Sequence, residues 1–218
     1  MRKLSSISTL SLILFLNISP AHCGEEKVNL EAKIEKQEVT LQTIRDLRLD
    51  IKRVRSASAA IFDEVTREPV DYTIAPNVVG STIINPITIK ETGVLEPRKE
   101  WIKHSLDTMR PTIALLKQDV ESIEKNEREL ALSENVEKEL DVHRADWVIL
   151  VKNISKEFND LVKLTASEPC NNLAIASHSR KIYLMSKRLE KTRKRAEKLL
   201  MKELKQRKKT ERKVSRQK

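Results

Sequence analysis

The stretch Pro97–Ile123, PRKEWIKHSLDTMRPTIALLKQDVESI, decides the fold class. Its large apolar residues stand at Ile102, Leu106, Met109, Ile113, Leu116, Val120 and Ile123, an unbroken alternation of steps of four and three. With about 3.6 residues per turn, that spacing lines one face of a helix; on a strand it would scatter over both faces. It is also a heptad seam, the pattern in which each side chain inserts between four of a neighbouring helix. Pro97 suits a first turn, where its missing N–H costs nothing. Pro111 falls inside the seam, which continues on both sides, so a kink is predicted rather than an end.

Upstream, no proline or glycine occurs from Lys27 to Arg67. Leu30, Ile34, Leu41, Ile44, Leu47, Ile51, Val54, Ala57, Ile61 and Val65 recur mostly by threes and fours, with Gln37 filling the one gap. Downstream, a stripe of Val136, Leu140, His143, Trp147, Leu150, Ile154, Leu161 and Leu164 is out of phase with the seam ending at Leu130. The phase break predicts a tight turn over 132–135, with Ser133 as N-cap. The competing reading is a single helix from Pro97 to about Ser167, since no Gly or Pro follows Pro111 before Pro169. Pro169 ends this stripe. Asn171 or Asn172 can cap a fourth helix, with a seam of Ile175, His178, Ile182, Met185, Leu189, Thr192, Ala196 and Leu199. The fold class predicted is all-α: an antiparallel four-helix bundle or long coiled-coil hairpins.

The connection 68–96 differs in composition. No charge occurs from Tyr72 to Ile89, in a chain of 218 residues that is 34% charged. Pro76, Gly80, Pro86 and many β-branched residues suggest an apolar insertion, readable as a β-hairpin of strands 71–79 and 82–89 turning at Gly80-Ser81. It reads either as a plug over one end of the bundle or as a tip for a protein partner at Tyr72–Ile89.

The N-terminus has a targeting pattern. Arg2 and Lys3 precede an apolar run from Ile7 to Ile18, then Ala21 and Cys23 at cleavage spacing. Twelve residues are too few for a bilayer core, which takes about 20 in helix, but suit a secretory signal. The expected division is a signal peptide over 1–23, a helical bundle over 24–203 and a basic tail over 204–218. An uncleaved signal anchor is the alternative. No later segment is apolar enough to span a membrane, so an exported, periplasmic or secreted, chain is expected. If cleavage falls after Cys23, Cys170 remains, free or bridging two chains in a homo-oligomer; cleavage after Ala21 would let Cys23 and Cys170 form a disulfide.

Basicity is concentrated at the far end. From Ser186 to Lys218 there are 16 Lys or Arg against 4 Glu, while the whole chain is +10. Folding the third helix back on the fourth about residues 168 and 169 sets Trp147 beside Leu189, Ile154 against Ile182 or Tyr183, and Val136 near Met201. Beyond Glu203 the fourth helix outruns the third. A frayed or disordered arm is therefore expected, with Lys205, Arg207, Lys208, Lys209, Arg212, Lys213, Arg216 and Lys218 as its anion-binding residues. Such an arm attracts anionic membrane surfaces and phosphate polymers alike. It has no aromatic for base stacking.

Enzyme signatures are missing. Three glycines, far apart, build no phosphate loop. CxxC, HExxH and GxSxG do not occur, and Trp101, Leu140 and Ile175 stand where a di-iron bundle needs Glu before His104, His143 and His178. His143 and His178 read as polar seam residues that fix register. The sequence thus points to an exported, non-enzymatic binding or scaffold protein without cofactor or metal, its tail contacting an anionic envelope surface or polyanion. A periplasmic holdase-type chaperone is the alternative.

Overall fold

The computed structural model describes residues 20–67, 72–74, 78–79, 82–83, 87–89, 97–127, 130, 132–167 and 171–216. Four helices carry the fold: α1 Pro20–Val65, α2 Lys99–Glu127, α3 Glu134–Ala166 and α4 Asn172–Arg216. α1 packs on α2 and α4, and α3 packs on the same two, with no diagonal contact among the described residues. This is an up-down-up-down bundle, closed by α1 against α4. Both candidate cleavage points, after Ala21 and after Cys23, lie within α1. No helix among the described residues is long and apolar enough to cross a membrane.

The seam of α2 is buried from Ile102 to Ile123, and Pro111 sits on the exposed side of an unbroken helix. α2 ends at Glu127 and α3 begins at Glu134, so 97–167 is not one helix. Leu130 is fully buried between them. Ser133 occupies the N-cap with extended backbone, but its hydroxyl makes no cap bond. It donates instead to Glu203 Oε2 of α4 at 3.3 Å. At the next turn Asn171 is the cap: its side-chain oxygen accepts the Ala174 N–H at 3.0 Å.

α1 and α4 each bury a stripe against two neighbours, and polar residues enter both stripes. Gln37 is fully buried and donates to the Leu200 carbonyl at 3.0 Å. Arg193 is 2% exposed and donates to Glu190 and Glu197 at 2.8 and 2.9 Å, and to the Ile44 carbonyl at 3.3 Å. Burial pulls the Arg193 pKa down, but the bonds to Glu190 and Glu197 outweigh it and raise the net value. The expected α4 seam is corrected accordingly. Ala176, Ser179, Ser186, Arg193 and Leu200 are buried, whereas His178, Met185 and Leu199 lie half-buried at its edge. A helix gripped from two sides buries a wider stripe than a two-helix seam.

The expected division of α4 at Glu203 is also corrected. α4 is helical to Arg216. Gln37 meets Leu200 and Glu38 meets Lys208, so α1 runs antiparallel beside the part of α4 that has outrun α3. Leu204 packs on the core, and Arg207 donates to the Leu130 carbonyl at 3.0 Å. The hairpin register takes α3 as the partner of α4 and leaves out α1.

Ten residues of the 68–96 connection are described, in four short strands: β1 Tyr72–Ile74, β2 Val78–Val79, β3 Thr82–Ile83 and β4 Ile87–Ile89. β1 pairs antiparallel with β4 and β2 with β3, with Tyr72 opposite Ile89 and Val79 opposite Thr82. The remainder of the expected strands, including the turn at Gly80-Ser81, lies outside the described residues. The two ends of the connection are held together. Glu64, at the end of α1, is 8% exposed and accepts the Arg98 backbone N–H at 2.8 Å and its guanidinium at 2.7 Å. Those side-chain bonds from Arg98 hold the Glu64 pKa below its ordinary value, against the opposing effect of burial. Arg98 also lies 4.3 Å over the Trp101 ring, a cation–π contact.

Candidate polyanion interface

A helix with one buried stripe must be polar on its back, but nothing in the fold dictates the sign of that charge. On the back of α4 it is uniform. From Lys187 to Lys213, every exposed residue except Gln206 and Thr210 is Lys or Arg. Lys187, Lys191, Lys194, Arg195 and Lys198 form the first half, and Lys202, Lys205, Lys209, Arg212 and Lys213 the second. The steps are threes and fours apart from the adjacent pairs Lys194–Arg195 and Arg212–Lys213, so at about 100° per residue these ten cations fall within roughly a 100° arc, opposite the buried stripe. The row extends about 39 Å at about 1.5 Å per residue.

The four glutamates of α4 after Ser186 are all half-buried on its flanks. Glu190 and Glu197 hold Arg193, and Glu197 also pairs with Arg45 of α1 at 3.1 Å. Glu197 feels burial, which raises its pKa, but the bonds from Arg193 and Arg45 win and the net shift is downward. Glu203 pairs with Arg207. Lys194 lies 3.6 Å from Glu190; among the described residues, the other nine cations of the row form no ion pair. The row is bounded by neutralising pairs: Lys208 with Glu38 on the α1 side, Arg188 with Asp146 and Lys181 with Glu157 on the α3 side.

The eight tail residues expected from the sequence therefore divide. Lys205, Lys209, Arg212 and Lys213 lie in the exposed row. Arg207 is turned inward to Leu130 and Glu203, and Lys208 is paired with Glu38. The Arg216 side chain and Lys218 lie outside the described residues, as does Cys170. Lys187, Lys191, Lys194, Arg195, Lys198 and Lys202 are exposed cations of the same row that the tail assignment leaves out. Their signal is present in the sequence, as Lys and Arg at helical spacing on a face that holds no Glu.

Elsewhere the chemistry is sparse. His143 is buried in α3, its Nε2 has no hydrogen-bond partner among the described residues, and burial pushes its pKa down, toward the neutral ring. His178 is half-buried, with Nδ1 2.7 Å from Glu157 Oε2. Asp119 of α2 has a raised pKa because of burial first, then of Asp50 and Asp46 of α1. No group of three His, Cys, Asp or Glu among the described residues is arranged to hold a metal ion. No protein-family model matches the chain, and no curated protein or solved structure is significantly similar to it.

Proposed function

We propose that this chain is an exported, non-enzymatic helical binding or scaffold protein that engages an anionic surface or polymer through the C-terminal part of α4. The observation that carries this reading is the row of exposed cations ending in Lys205, Lys209, Arg212 and Lys213, with no carboxylate among them. Export rests on the Arg2–Cys23 pattern. In this reading the apolar 68–96 insertion is a hairpin, held at its base by Glu64 and Arg98, that covers one bundle end or meets a protein partner.

The test is binding of the full chain to anionic vesicles and to inorganic polyphosphate across a salt series. Affinity should fall steeply with salt, because released counterions drive such association. Reversing Lys205, Lys209, Arg212 and Lys213 to Glu should weaken it at least tenfold. Retention of full affinity for both would refute a basic anion-binding face there.

The holdase alternative has its own observation. Val142 and Ile149 lie one heptad apart on the back of α3, 68% and 56% exposed. Suppression of client aggregation that survives charge reversal on α4, and is lost on changing Val142 and Ile149 to Ser, would favour it.

A further inference from the structure

We infer that the binding site is the whole ordered row on α4 and that its ligand is a linear phosphate polymer lying lengthwise along it. This rests on the anionic-partner reading above and goes beyond it, because the tail then supplies only one half of the site. The helix is continuous to Arg216, so Lys187 and Lys213 are fixed about 39 Å apart on one face rather than linked by a loose arm. Cations spread over that length of rigid helix cannot all gather around one compact anion. They present a line of charge, and its complement is a line of opposite charge.

Three observations favour a polymer over a bilayer. The row is one helix wide. Pairs that are already neutral border it on both sides, Lys208 with Glu38 and Arg188 with Asp146. A planar leaflet would face these carboxylates together with the row, whereas a chain following the ridge would not. None of the ten positions is apolar, so nothing in the row inserts among acyl chains as an interfacial helix does. The row also lacks any aromatic that could stack on a base or a sugar ring. What it can recognise is charge density, and a polymer with a phosphate in every repeat supplies it. Lysines dominate the row, and their flexible stems follow a phosphate chain without imposing one bidentate geometry.

The experiment leaves the tail intact. In the full-length chain, Lys187, Lys191, Arg195 and Lys198 are changed to Glu, and in a second variant to Gln, with thermal unfolding checked for both. Inorganic polyphosphate of graded length is the probe, with anionic phospholipid vesicles in parallel. The expected result is at least tenfold loss of polyphosphate affinity for the Glu variant, a smaller loss for the Gln variant and a shallower salt dependence in both. Affinity of the unaltered protein should climb with chain length until the polymer spans about 39 Å, then level off. Unchanged affinity of both variants, with binding still lost on reversing Lys205, Lys209, Arg212 and Lys213, would overturn the extended site while leaving the anionic-partner reading standing. Levelling at a chain too short to pass from Lys213 to Arg195 would overturn it too. Stronger binding to vesicles than to any polymer would overturn the choice of ligand. Loss of neither probe in any variant would remove the anionic-partner reading itself.

Discussion

α1 and α4 are near twins in length, 46 and 45 residues, and each packs against two neighbours. Their inner faces follow the same rule: apolar residues every third or fourth position, interrupted by a polar group that is hydrogen-bonded across to the other helix. Gln37 of α1 does this to Leu200, and Arg193 of α4 to Ile44. Their outer faces part company. Exposed charges on α1 from Glu31 to Asp63 are mixed: Glu31, Glu35, Glu38, Asp46 and Asp63 against Lys36, Arg45, Arg48, Lys52 and Arg53. On α4 from Lys187 onward the exposed charges are all positive. Mixed signs on α1 show that the bundle tolerates either charge on an outer face. The uniform sign on α4 is therefore not a requirement of folding.

Folding in fact opposes it. Like charges four residues apart on a helix destabilise it by about 0.2–0.5 kcal/mol per pair. The row contains Lys187–Lys191, Lys191–Arg195, Lys194–Lys198, Lys198–Lys202, Lys205–Lys209 and Lys209–Lys213. Each outer pair is small beside one core side chain, so the helix forms regardless. A row that persists against its own repulsion is what the proposed binding surface requires.

The largest expected effect lies on the inner faces. Trp147 is 1% exposed and donates its Nε1 hydrogen to Thr192 at 2.8 Å. Trp147→Ala should lower unfolding free energy by about 3–5 kcal/mol, read from denaturant midpoints at constant slope. A loss below about 1 kcal/mol would mean that the α3–α4 contact is not the one described. Next comes truncation after Glu203, which removes Leu204, the Arg207 bond to Leu130 and the Lys208 pair with Glu38. It should cost about 2–3 kcal/mol, by analogy with losing one part-buried apolar side chain and one hydrogen bond. An unchanged melting temperature would restore the detached tail that the sequence suggests.

Much of the inner face is legible in the sequence. The four-and-three alternation from Ile102 to Ile123 is a property of spacing, and burial follows it at each position. The phase break after Leu130 separates α2 from α3 correctly, and folding α3 onto α4 puts Trp147 beside Leu189, one helical turn from its actual partner Thr192. What fails is what spacing cannot carry. Phe158 is absent from the predicted α3 stripe, though it is 5% exposed beneath Arg110, because the step from Ile154 to Leu161 already satisfies a heptad. Arg193 is absent from the predicted α4 seam, since a charge enters a core only when partners such as Glu190 and Glu197 wait on the same helix. The closure of α1 on α4 is a contact between chain ends, and no local pattern announces it. The cationic row is partly visible, as a tail, because counting charge locates basicity along the chain while phase locates it on a face.

A pH titration gives a smaller effect and separates inner groups from the outer row. Glu64 has a depressed pKa, so its pairing with Arg98 stabilises the fold above about pH 4.5, its ordinary value, and is lost as pH falls through the depressed one. His143 is also depressed; its contribution is full above about pH 6.5 and declines as acid forces a charge onto the buried ring. Asp119 works the other way: its raised pKa costs stability at neutral pH, and that cost is relieved as pH falls through the raised value toward 3.8. Thermal stability should therefore fall from pH 7 to 5 in a step that His143→Phe removes. A step of unchanged size in that variant would mean that His143 is not its source.

The smallest expected change in stability has the opposite sign, and it bears on the central claim most directly. Changing Lys191, Lys198 and Lys209 to Glu in one chain turns all six of these pairs four residues apart into attractive ones. Melting temperature and polyphosphate affinity are then measured on that variant and on the unaltered chain. A face kept for binding at some cost to folding predicts a small rise in melting temperature, with affinity down at least tenfold. A variant that melts lower, or one that melts higher yet holds polyphosphate as tightly as before, would contradict it.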